Sequence, residues 1–289
     1  MDELTFACPR CDAVLSTTLS CAKCGSRFDC HDGVYRFLLP ETEVDLEPFL
    51  TQYRRVRELE RNFARPPEYY RALPIVASQF AEADRWYIRQ RSYQRLLDLL
   101  PKTSVTVLDL GAGNCWLTHR LSMLGHRCVA VDISLNAEDG LGAHVHYAVE
   151  FTCVQADFDA LPFAPCQFDV LIFNASLHYS PNIHQSLAGA NRMLKPGGKM
   201  FVVDSPTFET DRAGKQMLAG QDEEFRKRFN LPQVIRRGVG YVTRSRMREA
   251  GFQFYRSRGR FLWELRRLWS GIKLQREPAA FGVWEGAPQ

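Results

Sequence analysis

The 289-residue chain reads as an α/β protein: a mostly parallel sheet with helices on both faces, preceded by a small cysteine-stapled module. Three observations predict this. Two Cys-x-x-Cys hooks stand within the first 24 residues, short β-rich apolar runs alternate with helical patterns from residue 105 onward, and the first of those runs ends in a glycine-spaced turn, "VLDLGAGNCW" (Val107 to Trp116). A hydrophobic content of 45% and a charged content of 24% are those of an ordinary folded chain, and the length suits one large core with a small satellite. No apolar run approaches the ~18 residues that span a bilayer. The start, MDELTFACPR, is acidic where a secretory signal would be basic, so a cytoplasmic protein is expected. A net charge of +4 is mild for a domain that lives on nucleic acid.

The hooks are Cys8-Pro9-Arg10-Cys11 and Cys21-Ala22-Lys23-Cys24, nine residues apart, with Gly25 closing the second. Two residues between thiolates let both sulfurs reach one ion, and four sulfurs fill the tetrahedral shell of Zn²⁺. A full shell leaves no open position, so a structural zinc is expected on Cys8, Cys11, Cys21 and Cys24. Cys30 and His31 belong instead to a turn between strands at Asp32-Gly33. The remaining cysteines, several in apolar segments, read as free thiols of a reducing compartment.

Pro40 to Asp45 reads as an acidic, proline-marked linker, and Arg65-Pro66-Pro67 and Leu73-Pro74 cut the next stretch of chain into short helical pieces. Apolar spacing predicts a helix from about Ala81 to Leu100, stopped by Pro101. Tyr69, Tyr70 and Trp86 are candidates to cover a ligand, although packing explains such aromatics as well.

Val105 to Leu110 is a buried parallel strand, Leu117 to Leu124 the helix after the turn, and Cys128 to Val131 a second strand ending in Asp132. A dinucleotide fingerprint needs a third glycine for close helix–strand contact; Trp116 stands there and argues against a dinucleotide. Further strands are expected at Cys153 to Phe158, Phe168 to Asn174 and Met200 to Asp204. Leu187 to Leu194 is expected as a helix, closed by Lys195-Pro196-Gly197-Gly198.

In this order the chain resembles the class I S-adenosylmethionine (AdoMet) methyltransferases. Asp109, Gly111 and Gly113 match their first motif, with Cys115 in place of its third glycine, and "LKPGG" before a strand is frequent among them. The "CPxC…CxxCGxxF…DGVYxF" pattern ahead of such a domain is similar to the zinc ribbon of the rRNA guanine-N1 methyltransferases and of many uncharacterised bacterial methyltransferases. The resemblance implies a Rossmann-like, seven-stranded methyltransferase sheet whose last strand is antiparallel, formed by residues 102–289 with insertions at 207–239 and 256–278, after a ribbon at 1–39 and a helical connector or lid at 40–101. It also assigns Asp109 and the Gly111–Gly113 loop to the amino-acid moiety of AdoMet, Asp132 to the ribose and Asp157 to the adenine, with Asn174 and Ala175 beside the sulfonium.

After the fourth strand comes Asn174-Ala175-Ser176-Leu177-His178-Tyr179-Ser180. The [D/N]-P-P-[Y/F] stretch of amino-group methyltransferases is absent, whereas "LHYS" resembles the "LHH" of small-molecule ones. His178 is therefore a candidate general base and Tyr179 an orienting group, the alternative being a loop-packing histidine. The expected activity is methyl transfer from AdoMet to a small or medium-sized organic acceptor at oxygen or carbon. Two alternatives stay open: an RNA base methyltransferase, and a non-catalytic AdoMet-binding adaptor. The stretch 256–276, with seven basic residues and one acid, reads as an amphipathic helix that packs on the domain, binds phosphates or touches a membrane surface.

Overall fold

The computed structural model describes residues 4–60, 65–78, 80, 82–257 and 277–286. After the cysteine hooks, β1 (Asp29–His31) and β2 (Val34–Arg36) form a hairpin, and α1 (Pro40–Leu59) comes directly after it. The expected linker at Pro40 to Asp45 is thus the first turn of a 20-residue helix. Proline is pre-organised for the first helical position, where its missing N–H costs nothing, and Glu41 and Glu43 complement the positive end of the helix dipole. Next come α2 (Pro67–Ala72) and α3 (Ala83–Leu99).

The main domain runs β3 (Thr106–Leu110), α4 (Trp116–Met123), β4 (Arg127–Asp132), β5 (Thr152–Gln155), β6 (Phe168–Asn174), α5 (Ile183–Asn191) and β7 (Leu194–Val203). The short β8 (Thr207–Phe208), α6 (Asp211–Phe229), β9 (Val242–Thr243) and α7 (Arg244–Glu249) lead to β10 (Phe252–Arg256) and β11 (Gly282–Gly286). The helix expected over Leu187 to Leu194 lies earlier. "LKPGG" does not close it but sits inside β7, where Gly197 has φ +79° and the pairing with β6 shifts register between Phe168 and Val170. A glycine in the left-handed region is what a bulge of this kind requires. The stretch from 258 to 276 lies outside the described residues, so the helix expected there does too.

Among the described residues nine strands form one sheet in the order β1-β2-β5-β4-β3-β6-β7-β11-β10, and β8 and β9 pair with each other in parallel. Seven of them make the expected class I sheet, with β11 antiparallel to both β7 and β10. The amino-terminal segment adds two more, because β2 pairs parallel with β5, Val34 opposite Cys153. Side chains alternate across this sheet. Leu108, Leu110, Val129, Val131, Leu171 and Phe173 enter one apolar layer with Leu187, Met247 and the amino-terminal segment's Phe37; Val107, Val170, Ile172 and Phe201 enter the other with Trp86, Leu96, Trp116 and Leu117. Trp116, excluded as a dinucleotide glycine, meets Trp86 edge-on with centroids 5.7 Å apart and Tyr93 at 5.8 Å, joining α4 to α3.

Candidate active site

The carboxyl ends of β3, β4 and β6 carry the site, as the loops of a parallel sheet dictate. Leaving β3, Gly111 (φ +72°) and Gly113 (φ +54°) bend the chain so that Gly111 and Ala112 N–H donate to the Val131 carbonyl at 2.8 and 2.9 Å. A Cβ on Gly111 would lie 2.3 Å from the Ser176 Cβ, so only glycine fits between the β3 and β6 loops. Cys115, at φ +61°, keeps the left-handed backbone of the glycine it stands for and begins α4.

This loop lines a cavity of ≈170 Å³ together with Asp132, Asp139, Phe158, Asn174 and Ala175. Asp132 is anchored by N–H donation from Gly113 and Ser134, each at 2.8 Å, which leaves lone pairs of both oxygens for a diol. Burial pushes its carboxyl up to about 6. Asp109 is completely buried and does not line the cavity; it accepts from Thr118 Oγ1 at 2.7 Å, and burial pushes it up to about 7. Asp157 is also absent from the lining: the Arg237 guanidinium pairs with it and stands over the Phe158 ring at 4.7 Å. Asn174 is buried, and its Oδ1 has no partner among the described residues.

A second cavity of ≈410 Å³ adjoins the first, and Ala175, Tyr179, Phe49, Tyr53 and three arginines line both. Its walls come from α1, α3, α6 and the 234–240 segment, together with His178 and Asp204. Gly238 lets that segment press on the turn holding His178 and Tyr179, since a Cβ there would lie 2.2 Å from the Tyr179 carbonyl carbon. His178 Nδ1 lies 3.4 Å from Ser205 Oγ. Burial, with Arg89 and Arg236 adding repulsion, pushes His178 down to about 4. Asp204, at the end of β7 with φ +53°, accepts from Ser92 Oγ at 2.6 Å; its Oδ2 has no partner among the described residues, and burial pushes it up to about 7.

Trp86 lines the smaller cavity, whereas Tyr69 and Tyr70 line neither. Tyr69 donates to Glu82 at 2.9 Å and Tyr70 stacks on His146 at 4.2 Å. The residues that sequence reasoning missed are Phe49, Tyr53, Val56 and Arg57 on α1 and Arg85 and Arg89 on α3. Phe49, Tyr53, Val56 and Glu60 repeat at helical spacing, a signal hidden by treating the preceding prolines as a linker. Arg57 is tied to Asp139 at 3.1 Å, which joins α1 to the smaller cavity.

At the amino terminus, the sulfurs of Cys8, Cys11, Cys21 and Cys24 all lie within 4.8 Å of one another. Each hook turns on a left-handed residue, Asp12 (φ +59°) or Gly25 (φ +75°), whose N–H donates to the carbonyl of the hook's first cysteine at 2.9 Å. Tetrahedral Zn–S bonds of ~2.3 Å separate sulfurs by ~3.8 Å, so the four-thiolate set fits a zinc ion. Cys30 and His31 are exposed and stand outside the cluster, His31 beside Asp32 at 2.8 Å.

Residues 108–202 match the family described as "Methyltransferase domain". The chain is 27% identical over 175 residues to a malonyl-[acyl-carrier protein] O-methyltransferase of Erwinia pyrifoliae, covering 57% of this chain and 64% of that protein. It is 36% identical over 128 residues to a demethylmenaquinone methyltransferase of Corynebacterium urealyticum, 44% of this chain and 51% of that one. The crystal structure of the PH0226 protein of Pyrococcus horikoshii OT3 is 30% identical, covers 47% of this chain and 66% of that one, and has a TM-score of 0.36. The chain thus spans about half to two thirds of the length of the curated relatives it matches. With the sheet order, the domain match gives the chain the class I AdoMet-dependent methyltransferase fold, and the domain match and the two curated relatives support an enzyme.

Proposed function

With a methyltransferase domain over residues 108–202 as the premise, we propose that the protein transfers a methyl group from AdoMet to a small or medium-sized organic acceptor at oxygen or carbon. The observation that carries this reading is the pair of adjoining cavities: one built on the glycine loop, the other larger and in the ~300–1,000 Å³ range of small-molecule sites, sharing Ala175 and Tyr179 as their common wall. AdoMet supplies a methyl on a cationic sulfur. Its S–C bond breaks as the bond to the acceptor's oxygen or carbon forms, and the acceptor gives up a proton.

In this reading the Gly111–Gly113 loop, supported from below by Asp109, holds the amino-acid moiety, and Asp132 holds the ribose hydroxyls. Asp157 takes the adenine amino group once Arg237 yields it. Asn174, with its free carbonyl oxygen, and Ala175 border the sulfonium, and the neighbouring acids suit a positive cofactor. His178 is uncharged at neutral pH and lines the larger cavity, where it receives the acceptor's proton. Tyr179 orients the acceptor. Cys8, Cys11, Cys21 and Cys24 hold a structural zinc. Relatives named for transfer to oxygen and, in the sterol 4-C-methyltransferase strm-1 of Caenorhabditis elegans, to carbon support an acceptor of this kind.

Incubating the protein with methyl-labelled AdoMet and fractionated cell extract tests the reading. Label should enter a low-molecular-weight fraction and survive ribonuclease. Label confined to a ribonuclease-sensitive fraction would establish the RNA alternative, and no transfer to any fraction the adaptor.

A further inference from the structure

The larger cavity carries more positive charge than the chain itself neutralises. Five arginines line it (Arg57, Arg85, Arg89, Arg236 and Arg237) against two acids, Glu60 and Asp204. Three of the five have carboxylate partners: Arg57 pairs with Asp139 and Glu60, Arg236 with Asp222, and Arg237 with Asp157. Arg85 and Arg89 have no carboxylate within 4.0 Å among the described residues. They stand one turn apart on α3 with Ile88 between them, and all three face the cavity. Like charges at this spacing repel, and Asp204 offsets only part of the effect that burial and Arg85 have on Arg89. Arg89 is half-buried, and its guanidinium lies over the Trp86 ring at 4.6 Å, a contact that fixes its plane and leaves its edge free to donate.

The rest of the wall has a different chemistry. Phe49, Val56, Ile88, Met217 and Phe225 present an apolar surface from three helices. Asp204, the acid without an ion-pair partner, is carried toward neutrality by its burial, so it opposes an incoming negative charge only weakly.

On the methyl-transfer reading above, we infer that the acceptor is an amphipathic organic anion: an apolar body seated between α1, α3 and α6, and an acidic headgroup, carboxylate or phosphate, gripped by Arg85 and Arg89. Two guanidinium forks one helical turn apart match the several lone pairs of such a headgroup, and an anion between them removes their mutual repulsion. An amine of the same size would meet two cations, and the wall's acid without an ion-pair partner, Asp204, is carried toward neutrality by its burial. Arg89 also borders the smaller cavity, so the carboxylate of AdoMet competes for it; Arg85 borders the larger cavity alone.

Titration calorimetry on the full-length protein tests this, with and without saturating S-adenosylhomocysteine. The probes are decanoate, decyl phosphate, decanol and decylamine, each below its micelle concentration. Decanoate or decyl phosphate should bind on the order of ten-fold tighter than decanol, with decylamine weakest; the better of the two identifies the headgroup. The variant carrying Arg85→Gln and Arg89→Gln should bind decanol as before and lose the preference for the anion, while Arg85→Gln alone, at the residue that borders only the larger cavity, should weaken that preference and keep its S-adenosylhomocysteine affinity. Equal binding of decanol and the anions, binding of none of the four, or an anion preference that survives both substitutions overturns the inference. So does a double variant that loses S-adenosylhomocysteine and keeps the anion preference, which would give these arginines to the cofactor. Failure of the unaltered protein to bind S-adenosylhomocysteine is read separately, and removes the methyl-transfer reading together with the acceptor drawn from it.

Discussion

Cys115 shows what a single position in a motif has to supply. The backbone there is left-handed, the conformation glycine adopts without cost, and the cysteine accepts it while filling a fully buried site among Ala112, Ala130, Leu141 and Cys153. The first motif was readable because its requirements are local: two glycines, a carboxylate and a strand. Asp204 is the opposite case. Its surroundings come from Ser92 on α3 and from residues distant in sequence, so nothing adjacent to it in the chain marks a buried acid raised to about 7. Its folded carboxyl binds protons more tightly than the ordinary 3.8, so its ionisation opposes folding: stability is lost as pH rises from about 4 through about 7, by at most on the order of 4 kcal/mol. Asp204→Asn keeps an acceptor for Ser92, and asparagine tolerates φ +53°. The variant's melting temperature should climb relative to the unaltered protein between pH 5 and pH 8, and a pH-independent difference would refute the buried charge. His178 contributes with the opposite sign: its folded pKa is lowered, so it costs stability as pH falls below about 6.5, and the difference between the two proteins isolates Asp204.

Among the elements, those with their own periodicity were legible and those defined by a partner were not. The strands from β3 to β7 stand close to where apolar runs placed them, because a strand buried on both faces leaves little sequence freedom. The first turn of α1 was hidden because proline reads as a breaker unless its position within a helix is known. The pairing of β2 with β5 was invisible, since three residues carry no signal of which edge they join. That pairing binds the cysteine hooks to the main core: Phe37 N–H donates to Gln155 at 2.8 Å, Ala7 N–H to Pro162 at 3.0 Å, and the Phe6 ring lies 4.9 Å from that of Phe37 and 5.8 Å from Phe163. If the four sulfurs hold zinc, stripping the metal loosens more than the first forty residues. Purified protein treated with a strong chelator should melt several degrees lower in one cooperative transition; an unchanged midpoint would show that the cluster stabilises nothing beyond itself.

Across the whole molecule, helices from the connector and from the 211–229 segment converge over the sheet's carboxyl edge and divide one depression into two cavities. The floor is written in the motifs, while the roof depends on how separate helices pack, which is why the arginines of α1 and α3 were out of reach of pattern reading. The roof also touches the floor, Arg57 reaching Asp139 and Arg237 reaching Asp157, and Arg57, Asp139 and Arg237 line the smaller cavity, so a ligand bound there should stabilise the folded chain. S-adenosylhomocysteine at about a hundred times its Kd should add about 2.7 kcal/mol and raise the melting temperature by roughly 5 °C. No shift would mean that S-adenosylhomocysteine does not bind the folded protein.

The join between β2 and β5 also has a meaning in time. The two partners lie roughly 120 residues apart in the chain, and a ribosome adding about 5–20 residues per second leaves β2 waiting on the order of ten seconds before β5 emerges. During that interval the hairpin has no sheet to lean on, and a segment so small needs a staple to hold its shape. If the four sulfurs hold zinc, metal supply at the moment of synthesis would then decide whether β5 meets its proper neighbour or presents an open edge to another nascent chain.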